Sequence, residues 1–345
     1  MGPDSSRDVS TVSQVGEFGL IQRIVGGGAQ PGGAQPGGAQ SGVGQSGSAQ
    51  SAETLVGPGD DAAVLKTADG RVVATTDVLV ENVHFRFDWS NPHQVGRKAI
   101  AVNLSDVAAM GAVPTGLLVG LGCPPDSRTE LVDQLAAGMW EEAGQVGIGL
   151  TGGDTVSAPV VTLSVTALGD LRGRAPVTRS GARPGEVVAV AGRLGWAAAG
   201  LAVLGRGFRS PVAVVGAQRV PEPPYAAGPQ AAACGATSMI DTSDGLLADL
   251  GHVAQASGVA IDVRTEQLGV PQRLTEVASA LGADAWHWVL TGGEDQALVA
   301  TFPRHLPLPD GWRAIGVVGE GGADGGGVTV DGEVYEEPAG WQHWR

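Results

Sequence analysis

The sequence predicts a mixed α/β (α+β) protein of two domains, and three observations predict this class. The chain has 345 residues, enough for two hydrophobic cores. Its 43% hydrophobic and 17% charged content is ordinary for a globular protein. Short apolar runs of strand type alternate with segments of helical spacing on both sides of a Gly- and Pro-containing stretch at 173–185. We therefore expect an N-terminal domain over 1–175 and a C-terminal domain over 176–345.

Two helices of the first half carry start signals. Asn91 is a favourable capping residue and is followed by Pro at the first helical position, which predicts a helix that extends toward Gly111. Ser127 and Glu130 predict a capping box for a second helix, which ends near Ala143. The other elements expected in this half are a helix at 17–25 and strands at 71–76 (ending at Asp77), 117–121, 148–150 and 161–167.

The second half repeats the alternation of strands and helices. Asp331-Gly332 predicts a late hairpin, because this dipeptide favours a tight two-residue turn. The remaining elements expected here are strands at 187–191, 238–240, 259–263, 289–290 and 297–302, and helices at 196–204 and 246–256.

A compositionally biased segment follows the first helix. Residues 26–51 carry the near-repeat Gly-Gly-Ala-Gln-Pro and too little apolar side chain to offset the entropy lost on ordering. We expect a flexible low-complexity insertion, and removal of residues 27–50 should leave activity intact.

Charge and cysteine content restrict the possible partners. The formal net charge is −15 and no basic stripe offsets it, which disfavours nucleic acid. An acidic protein that acts on phosphates needs metal ions between itself and its substrate. Cys123 and Cys234 are far apart, so we expect no disulfide framework and a cytoplasmic location. No apolar run approaches the roughly 18 residues of a membrane span, so no membrane association is expected.

One pattern recurs along the chain: an acidic residue flanked by Gly, Ser or Thr beside an apolar run. Such residues supply hard oxygen ligands for Mg²⁺, and the neighbouring glycines let backbone N–H groups approach a phosphate. Because ligand groups gather where strands end, we expect Asp77, Asp154 and Asp241 to project from strand ends. The six stretches are Gly59-Asp60-Asp61, Thr75-Thr76-Asp77, Ser105-Asp106, Gly152-Gly153-Asp154, Asp241-Thr242-Ser243-Asp244 and Gly293-Glu294-Asp295.

A simpler interpretation exists for each acid taken alone. An Asp beside Gly or Ser is usually a turn former or helix cap, and Asp244 is placed to cap the helix that follows it. Either Asp60 or Asp61 could be a metal ligand. Recurrence at six places favours a shared function, and the sequence has neither a Gly-rich phosphate loop ending in Lys nor a Gly-x-Ser-x-Gly elbow. The residues thus predict a Mg²⁺-dependent enzyme acting on a nucleoside polyphosphate and do not identify the acceptor.

The ordered series of motifs resembles the thiamine-monophosphate kinase family, whose superfamily includes aminoimidazole ribonucleotide synthetase and selenophosphate synthetase. The resemblance covers nearly the whole chain apart from the insertion. The matching stretches are Glu17-Phe18, Leu20-Ile21, Gly59 to Ala63, Thr76-Asp77, His84-Phe85, Lys98-Ala99, Asn103 to Ala112, Gly152 to Thr155, Thr178 to Gly185, Asp241 to Leu246 and Leu290 to Asp295.

The resemblance implies a two-domain fold like that of aminoimidazole ribonucleotide synthetase, with mixed sheets, helices on the outer faces, and N-terminal domains that pair into a β-barrel in a homodimer. It implies ATP-dependent phosphorylation of thiamine monophosphate to thiamine diphosphate, with several Mg²⁺ ions. The implied metal ligands are Asp61, Thr75, Thr76, Asp77, Asp106, Asp154, Asp241 and Asp244. Gly153, Asp154, Arg179 and Ser243 would contact ATP, and His84, Glu294 and Trp341 would contact thiamine monophosphate.

The implied reaction agrees with the residues present. The nucleophile is a phosphate oxygen, already mostly deprotonated at pH 7, so no general base is needed and none is assigned. Two departures from the family pattern are Gln296, where Tyr is usual, and Asn82, where Gly is common. The alternatives are another ATP-dependent enzyme of the superfamily and a non-catalytic nucleotide- or metal-binding relative. Selenophosphate synthetase carries a reactive Cys or selenocysteine near its N-terminus, and neither cysteine here is placed for that.

Overall fold

The computed structural model describes residues 10–26, 54–56, 64–321 and 326–340. Most of the low-complexity insertion, the pair Asp60-Asp61 and Trp341 therefore lie outside the described residues. The strands are β1 (Thr54–Val56), β2 (Val64–Leu65), β3 (Val73–Val80), β4 (Val113–Cys123), β5 (Leu150–Ser157), β6 (Thr162–Asp170), β7 (Val187–Ala191), β8 (Ser238–Asp241), β9 (Ala260–Val263), β10 (Leu298–Phe302), β11 (Trp312–Gly319), β12 (Val328–Val330) and β13 (Glu333–Val334). The helices are α1 (Val12–Val25), α2 (Pro92–Ala109), α3 (Thr129–Gln145), α4 (Trp196–Gly205), α5 (Val212–Arg219), α6 (Ala227–Ala233), α7 (Leu246–Ser257), α8 (Thr265–Leu268), α9 (Gln272–Leu281) and α10 (Ala285–Thr291).

Two larger sheets confirm the mixed α/β class. One has four strands in the order β3-β6-β4-β5, and its β4 and β5 are parallel. The other has seven strands in the order β13-β12-β9-β11-β7-β10-β8. Within it β9 and β12 are parallel, whereas β7 pairs antiparallel with both β10 and β11. Strands β1 and β2 form a separate antiparallel pair.

The described chain divides into two compact units, each built from separate stretches. The first unit contains Thr76–Ile100, Thr115–Ala167 and the described residues of Met1–Lys66. The second contains Thr67–Thr75, Ala101–Pro114 and the described residues of Leu168–Arg345. Helix α2 thus begins in the first unit and ends in the second.

The four-stranded sheet has one buried face and one more exposed face. Side chains alternate along a strand, so the buried Leu117, Val119 and Leu121 of β4 lie on the face opposite Leu118, which is 36% exposed. The face that carries Thr76, Val78, Leu118 and Val156 is called the open face below. Val78 and Val156 are 46% and 58% exposed there.

Helix α3 packs closely against the first half of α2. A Cβ on Gly96 would lie 2.1 Å from the Leu135 carbonyl oxygen, and a Cβ on Gly138 would lie 1.9 Å from that of His93. The absence of these two side chains lets the helix backbones approach each other. An ion pair between Arg97 and the buried Glu142, 2.7 Å long, joins the same two helices.

The core of the second unit is rich in alanine. Small side chains from α2, α6, β7 and β10 surround Phe302, which is fully buried. The Phe302 ring meets that of Trp312 edge to face, with centroids 5.4 Å apart. The buried strands β7, β10 and β8 extend this core to one edge of the seven-stranded sheet, where β8 ends at Asp241.

Several element predictions are confirmed, and two local ones are wrong. The Asn91 carboxamide oxygen accepts from the Gln94 N–H at 2.8 Å, and the Gln94 side chain accepts from the Asn91 N–H at 3.0 Å, as a capping box requires. The box predicted at Ser127 is wrong, because α3 begins one residue later, after Arg128, and no side chain caps it in the described part of the chain. The strand predicted at 289–290 is also wrong, because these apolar residues form the buried face of α10. Short apolar runs do not distinguish buried helix from buried strand.

Within the described ranges, no helix is long and apolar enough to cross a membrane.

Candidate active site

In the second unit, two hydrogen bonds from hydroxyl to carboxylate join distant parts of the chain. Thr75 Oγ1 donates to Asp106 Oδ2 at 2.7 Å. Ser105 Oγ donates to Asp241 Oδ2 at 2.8 Å, and both of these residues are buried. Ser105 and Asp106 lie on α2, Thr75 on β3, and Asp241 is the last residue of β8. Two pairs of hard oxygen ligands thus form between three segments of the chain.

The loop between β8 and α7 is tied to the loop between α10 and β10 through backbone groups. The Glu294 N–H donates to the Ser243 carbonyl at 2.8 Å, and the Gln296 N–H donates to the Thr242 carbonyl at 3.1 Å. A Cβ on Gly293 would lie 2.5 Å from the Ser243 carbonyl oxygen, so only glycine permits this approach. Ser243 and Glu294 therefore lie on adjoining loops, with Asp244 next in the chain.

Asp249, in the first turn of α7, lies beneath this loop. Its Oδ2 accepts from the N–H groups of Asp244 and Gly245, at 3.2 and 3.0 Å. Burial, with the nearby Asp244 charge as a smaller contribution, raises the pKa of Asp249 to about 7, although the backbone hydrogen bonds and Arg179 oppose the shift. Arg179, an exposed side chain, thus lies within electrostatic reach of the loop.

Asp295 has a structural role at the start of α4. Its buried carboxylate accepts from the N–H of Gly195 and from that of Ala197, the latter at 2.8 Å. These are donors that a helix N-terminus leaves without intrahelical partners. Burial raises the pKa of Asp295 to about 7, despite these hydrogen bonds. The carboxylate therefore fixes the loop that carries its neighbour Glu294.

In the first unit, β3 carries Thr76 and Asp77 in its interior. Thr76 Oγ1 donates to the Val165 carbonyl at 2.9 Å and accepts from Thr166 Oγ1 at 3.2 Å. Alternation along β3 puts Thr75 and Asp77 on the opposite face from Thr76. The Thr76 hydroxyl is therefore used within the sheet and points away from the side chains of Thr75 and Asp77.

Gly153 and Asp154 lie within β5, in register with Val119 and Gly120 of β4. A Cβ on Gly153 would lie 1.9 Å from the Val119 carbonyl oxygen. Asp154 is exposed, and its Oδ1 accepts from the Thr155 N–H at 2.8 Å. The glycine thus permits the strand pairing that presents Asp154 to solvent.

His84 is held in the turn that follows β3. The Val80 N–H donates to its Nδ1 at 3.0 Å, so a neutral ring carries its proton on Nε2. The buried Lys98 donates to the His84 carbonyl at 3.2 Å. Asn82 has φ 66, a conformation that Gly and Asn adopt more readily than other residues. Its side chain is therefore compatible with a position at which glycine is common.

Two positional expectations were wrong. Asp77 and Asp154 do not follow strands but lie inside β3 and β5, which extend to Val80 and Ser157. The polar Thr-Thr-Asp and Gly-Gly-Asp stretches continue the sheet because backbone pairing does not require apolar side chains. Asp244 does not cap α7, since the capping position is Gly245, which has no side chain to accept a hydrogen bond. Asp241 does close its strand, as predicted.

Asp249 lies in the same region but belongs to none of the six acidic stretches. Its only sequence signal is an acid in the first turn of a helix, four residues after Gly245, which is favourable there for any helix. His252 of α7 lies close as well: ligand atoms of Asp244, Asp249 and His252 are all within 4.8 Å of one another.

The donor chemistry fits Mg²⁺. The described candidates offer carboxylate and hydroxyl oxygens, which hard divalent cations prefer. Thr75 donates to one Asp106 oxygen and Ser105 to one Asp241 oxygen, and hydrogen bonds of this kind orient metal-ligating carboxylates.

Comparison with known proteins first places part of the chain in the class of AIR synthase related proteins. Residues 59–171 match the family model described as AIR synthase related protein, N-terminal domain.

Relatives that span the whole chain define the family within that class. A thiamine-monophosphate kinase of Mycobacterium tuberculosis (strain H37Rv) is 50% identical over 96% of this chain and 92% of its own length. The Corynebacterium glutamicum protein of the same name is 39% identical over 92% of this chain and 90% of its own. A solved structure named "AaThiL complexed with AMPPCP and TMP" is 33% identical, with a TM-score of 0.74, and covers 83% of this chain and 91% of that one. The chain belongs to the thiamine-monophosphate kinase family.

Proposed function

We propose that this protein transfers the γ-phosphoryl group of ATP to thiamine monophosphate, giving thiamine diphosphate and ADP. The observation that carries this proposal is the 50% identity with a thiamine-monophosphate kinase across 96% of the chain. A relative bound to AMPPCP, a non-hydrolysable analogue of ATP, and to TMP supports both substrates.

The reaction is a direct in-line displacement. The attacking phosphate oxygen is mostly ionised at pH 7, because the second pKa of a phosphomonoester is about 6. No proton need be removed, so positioning and charge neutralisation supply most of the rate enhancement. The loops that carry Ser243 and Glu294 hold each other through backbone hydrogen bonds, which suits a site that must align two anionic reactants.

Bound Mg²⁺ would supply neutralisation and orientation of the phosphate charges. Thr75, Asp106, Asp241 and Asp244 would hold such ions in the second unit, where Thr75 and Ser105 orient two of the carboxylates. In the first unit, Thr76, through its backbone, and Asp77 would hold an ion at β3, and Asp154 would hold a separate one at β5, because these are the two outer strands of the sheet. Asp61, which lies outside the described residues, completes the proposed set.

The substrates are assigned to the remaining candidates. Gly153, Asp154, Arg179 and Ser243 contact ATP; the exposed guanidinium of Arg179 suits a phosphate. His84 and Glu294, with Trp341 outside the described residues, contact thiamine monophosphate. A neutral His84 ring offers Nε2–H as a donor, because its Nδ1 accepts from Val80.

A homodimer in the cytoplasm completes the proposal. The open face of the four-stranded sheet supports pairing of N-terminal domains into a barrel. Its exposed apolar side chains Val78, Leu118 and Val156 would be removed from water in such a pair, which is energetically favourable. The division of the chain into domains at 175/176 stays a prediction.

The test incubates the full chain with ATP, MgCl₂ and thiamine monophosphate and separates the products by chromatography. One ADP and one thiamine diphosphate per turnover are expected. Turnover of thiamine but not of its monophosphate would reject the acceptor. Turnover only of formylglycinamidine ribonucleotide or selenide would indicate the related synthetases, and nucleotide binding without turnover a non-catalytic protein.

A matched pair of variants links the activity to the site. Asp241→Asn removes a charge at the Ser105 contact and should lower the rate at limiting Mg²⁺ by about 10- to 100-fold. Asp262→Asn changes another carboxylate of the second unit, one that accepts from Thr329 and Gly332, and should leave the rate nearly unchanged.

A further inference from the structure

The Asp249 carboxylate holds the backbone of the proposed metal ligand Asp244. It is 2% exposed, and its Oδ2 accepts from two consecutive N–H groups, those of Asp244 and Gly245. The Asp249 N–H in turn donates to the Gly245 carbonyl at 2.9 Å. The first turn of α7 and the preceding loop thus close on each other through one residue.

Close packing restricts the backbone conformation of the loop at residues 244 and 245. Gly245 has φ 130, and a Cβ there would lie 2.5 Å from the Thr291 carbonyl oxygen. On another side, a Cβ on Gly340 would lie 2.6 Å from the Asp244 carbonyl oxygen. The backbone of residues 244 and 245 is therefore packed against Thr291 of α10 and against Gly340, while Asp249 fixes its N–H groups.

We propose that Asp249 is a positioning residue, which sets the direction of the Asp244 carboxylate and thereby the affinity of the site for Mg²⁺. The inference rests on the proposed function, since Asp244 is a metal ligand only under that proposal. A partner that orients a metal ligand typically contributes about 10- to 100-fold to metal affinity or activity. Asp249 acts as a hydrogen-bond acceptor in this role and does not touch the ion.

A competing arrangement makes Asp249 a ligand itself. A ring nitrogen of His252 and carboxylate oxygens of Asp244 and Asp249 all lie within 4.8 Å of one another, a spacing that a shared metal ion could bridge. However, Asp249 Oδ2 already accepts two N–H groups, and Mg²⁺ prefers oxygen to imidazole ligands. The geometry favours positioning, and the two arrangements respond differently to substitution.

The experiment measures Mg²⁺ binding by titration calorimetry in the presence of AMPPCP, and the Mg²⁺ dependence of turnover, in the full-length protein. The variants are Asp249→Asn, Asp249→Ala and His252→Ala, with Asp262→Ala as a matched loss of a carboxylate that accepts a backbone N–H. Asp249→Ala should weaken Mg²⁺ binding at least tenfold, while kcat at saturating Mg²⁺ falls less than threefold. Asp249→Asn keeps an acceptor oxygen and should shift binding less than threefold, as should His252→Ala and Asp262→Ala.

Each other result overturns the inference. Equal loss in Asp249→Asn and Asp249→Ala would show that the charge, and hence direct coordination, matters. A matching loss in His252→Ala would assign the three residues to one metal site. A fall in melting temperature of Asp249→Ala like that of Asp262→Ala, without a change in Mg²⁺ binding, would make the role purely structural. If the wild type makes no thiamine diphosphate, the proposed function fails, whereas calorimetry still decides whether Asp249 controls Mg²⁺ affinity.

Discussion

Gly153 shows how a missing side chain can determine a candidate site. Substitution Gly153→Ala would place a Cβ 1.9 Å from the Val119 carbonyl oxygen, so β5 must shift away from β4. We expect a loss of about 1–3 kcal/mol in the free energy of unfolding, together with weaker ATP binding, measured by denaturant titration and calorimetry.

Gly144→Ala is the control for that change. No atom lies within 4 Å of a Cβ at Gly144, which belongs to the helix α3. Alanine there should be neutral or stabilise by about 0.5–1 kcal/mol. Equal behaviour of the two variants would contradict the packing argument.

Asp295 should make stability depend on pH. Its pKa is about 7 in the folded protein against 3.8 for the unperturbed group, so between these values the folded state keeps a proton that the unfolded chain has lost. The stability that this proton contributes is fully present below about pH 4 and is lost as the pH rises through 7.

The measurement compares wild type with Asp295→Asn, whose side chain does not titrate. The free energy of unfolding of wild type minus that of the variant should decline from pH 5 to pH 8 and then level off. A difference that stays constant with pH, or that grows as the pH rises, would show that Asp295 is ionised throughout.

At the scale of a single element, the start of α2 offers a direct test of capping. Asn91→Ala removes the acceptor of the Gln94 N–H and should cost about 1 kcal/mol in the free energy of unfolding. Ser127→Ala, at the box that the structure does not form, should stay within about 0.5 kcal/mol. Comparable losses in both variants would mean that the Asn91 cap does not stabilise the helix.

The same two helices show how far local sequence signals reach. The start of α2 could be predicted, because the cap at Asn91 and its partner Gln94 lie within four consecutive residues. The strand at 161–167 could be predicted from its alternation of apolar and polar side chains. Ser127 carries an equally good local signal, but the turn in which the Ser127 N–H donates to Pro124 determines where α3 begins. The apolar run at 289–290 forms a helix because Asp284 caps it from outside the run, where its side chain accepts from Trp286.

For the candidate site, residue types could be predicted but pairings could not. Recurring Asp residues beside Gly and Ser marked the region, yet Ser105 and Asp241 are 136 residues apart and no local pattern joins them. The role of Asp249 could not be predicted, because it depends on burial and on two backbone donors, which a sequence does not display. Contacts of this kind follow from the tertiary fold.

At the scale of the whole molecule, the open face should control association. Val156→Asp replaces an apolar side chain that is 58% exposed with a charged one. Because burying that charge in an interface is costly, the variant should shift from dimer toward monomer in sedimentation velocity. Val212→Asp, at a position 77% exposed in the second unit, should leave the association state unchanged. Identical sedimentation of the wild type and Val156→Asp would remove the open face from the proposed interface.

The way the chain passes between its two compact units has a consequence for recombining it with relatives. Residues 101–114 belong to the second unit, and Ala108 and Ala109 enter its core. A Cβ on Gly228 would lie 1.9 Å from the Ala108 carbonyl oxygen, so these distant stretches are fitted to each other at the backbone. A chimaera with a single crossover near residue 175 would therefore mix two parents inside one core. Intact hybrids need at least one further exchange, which transfers 101–114 together with the C-terminal part.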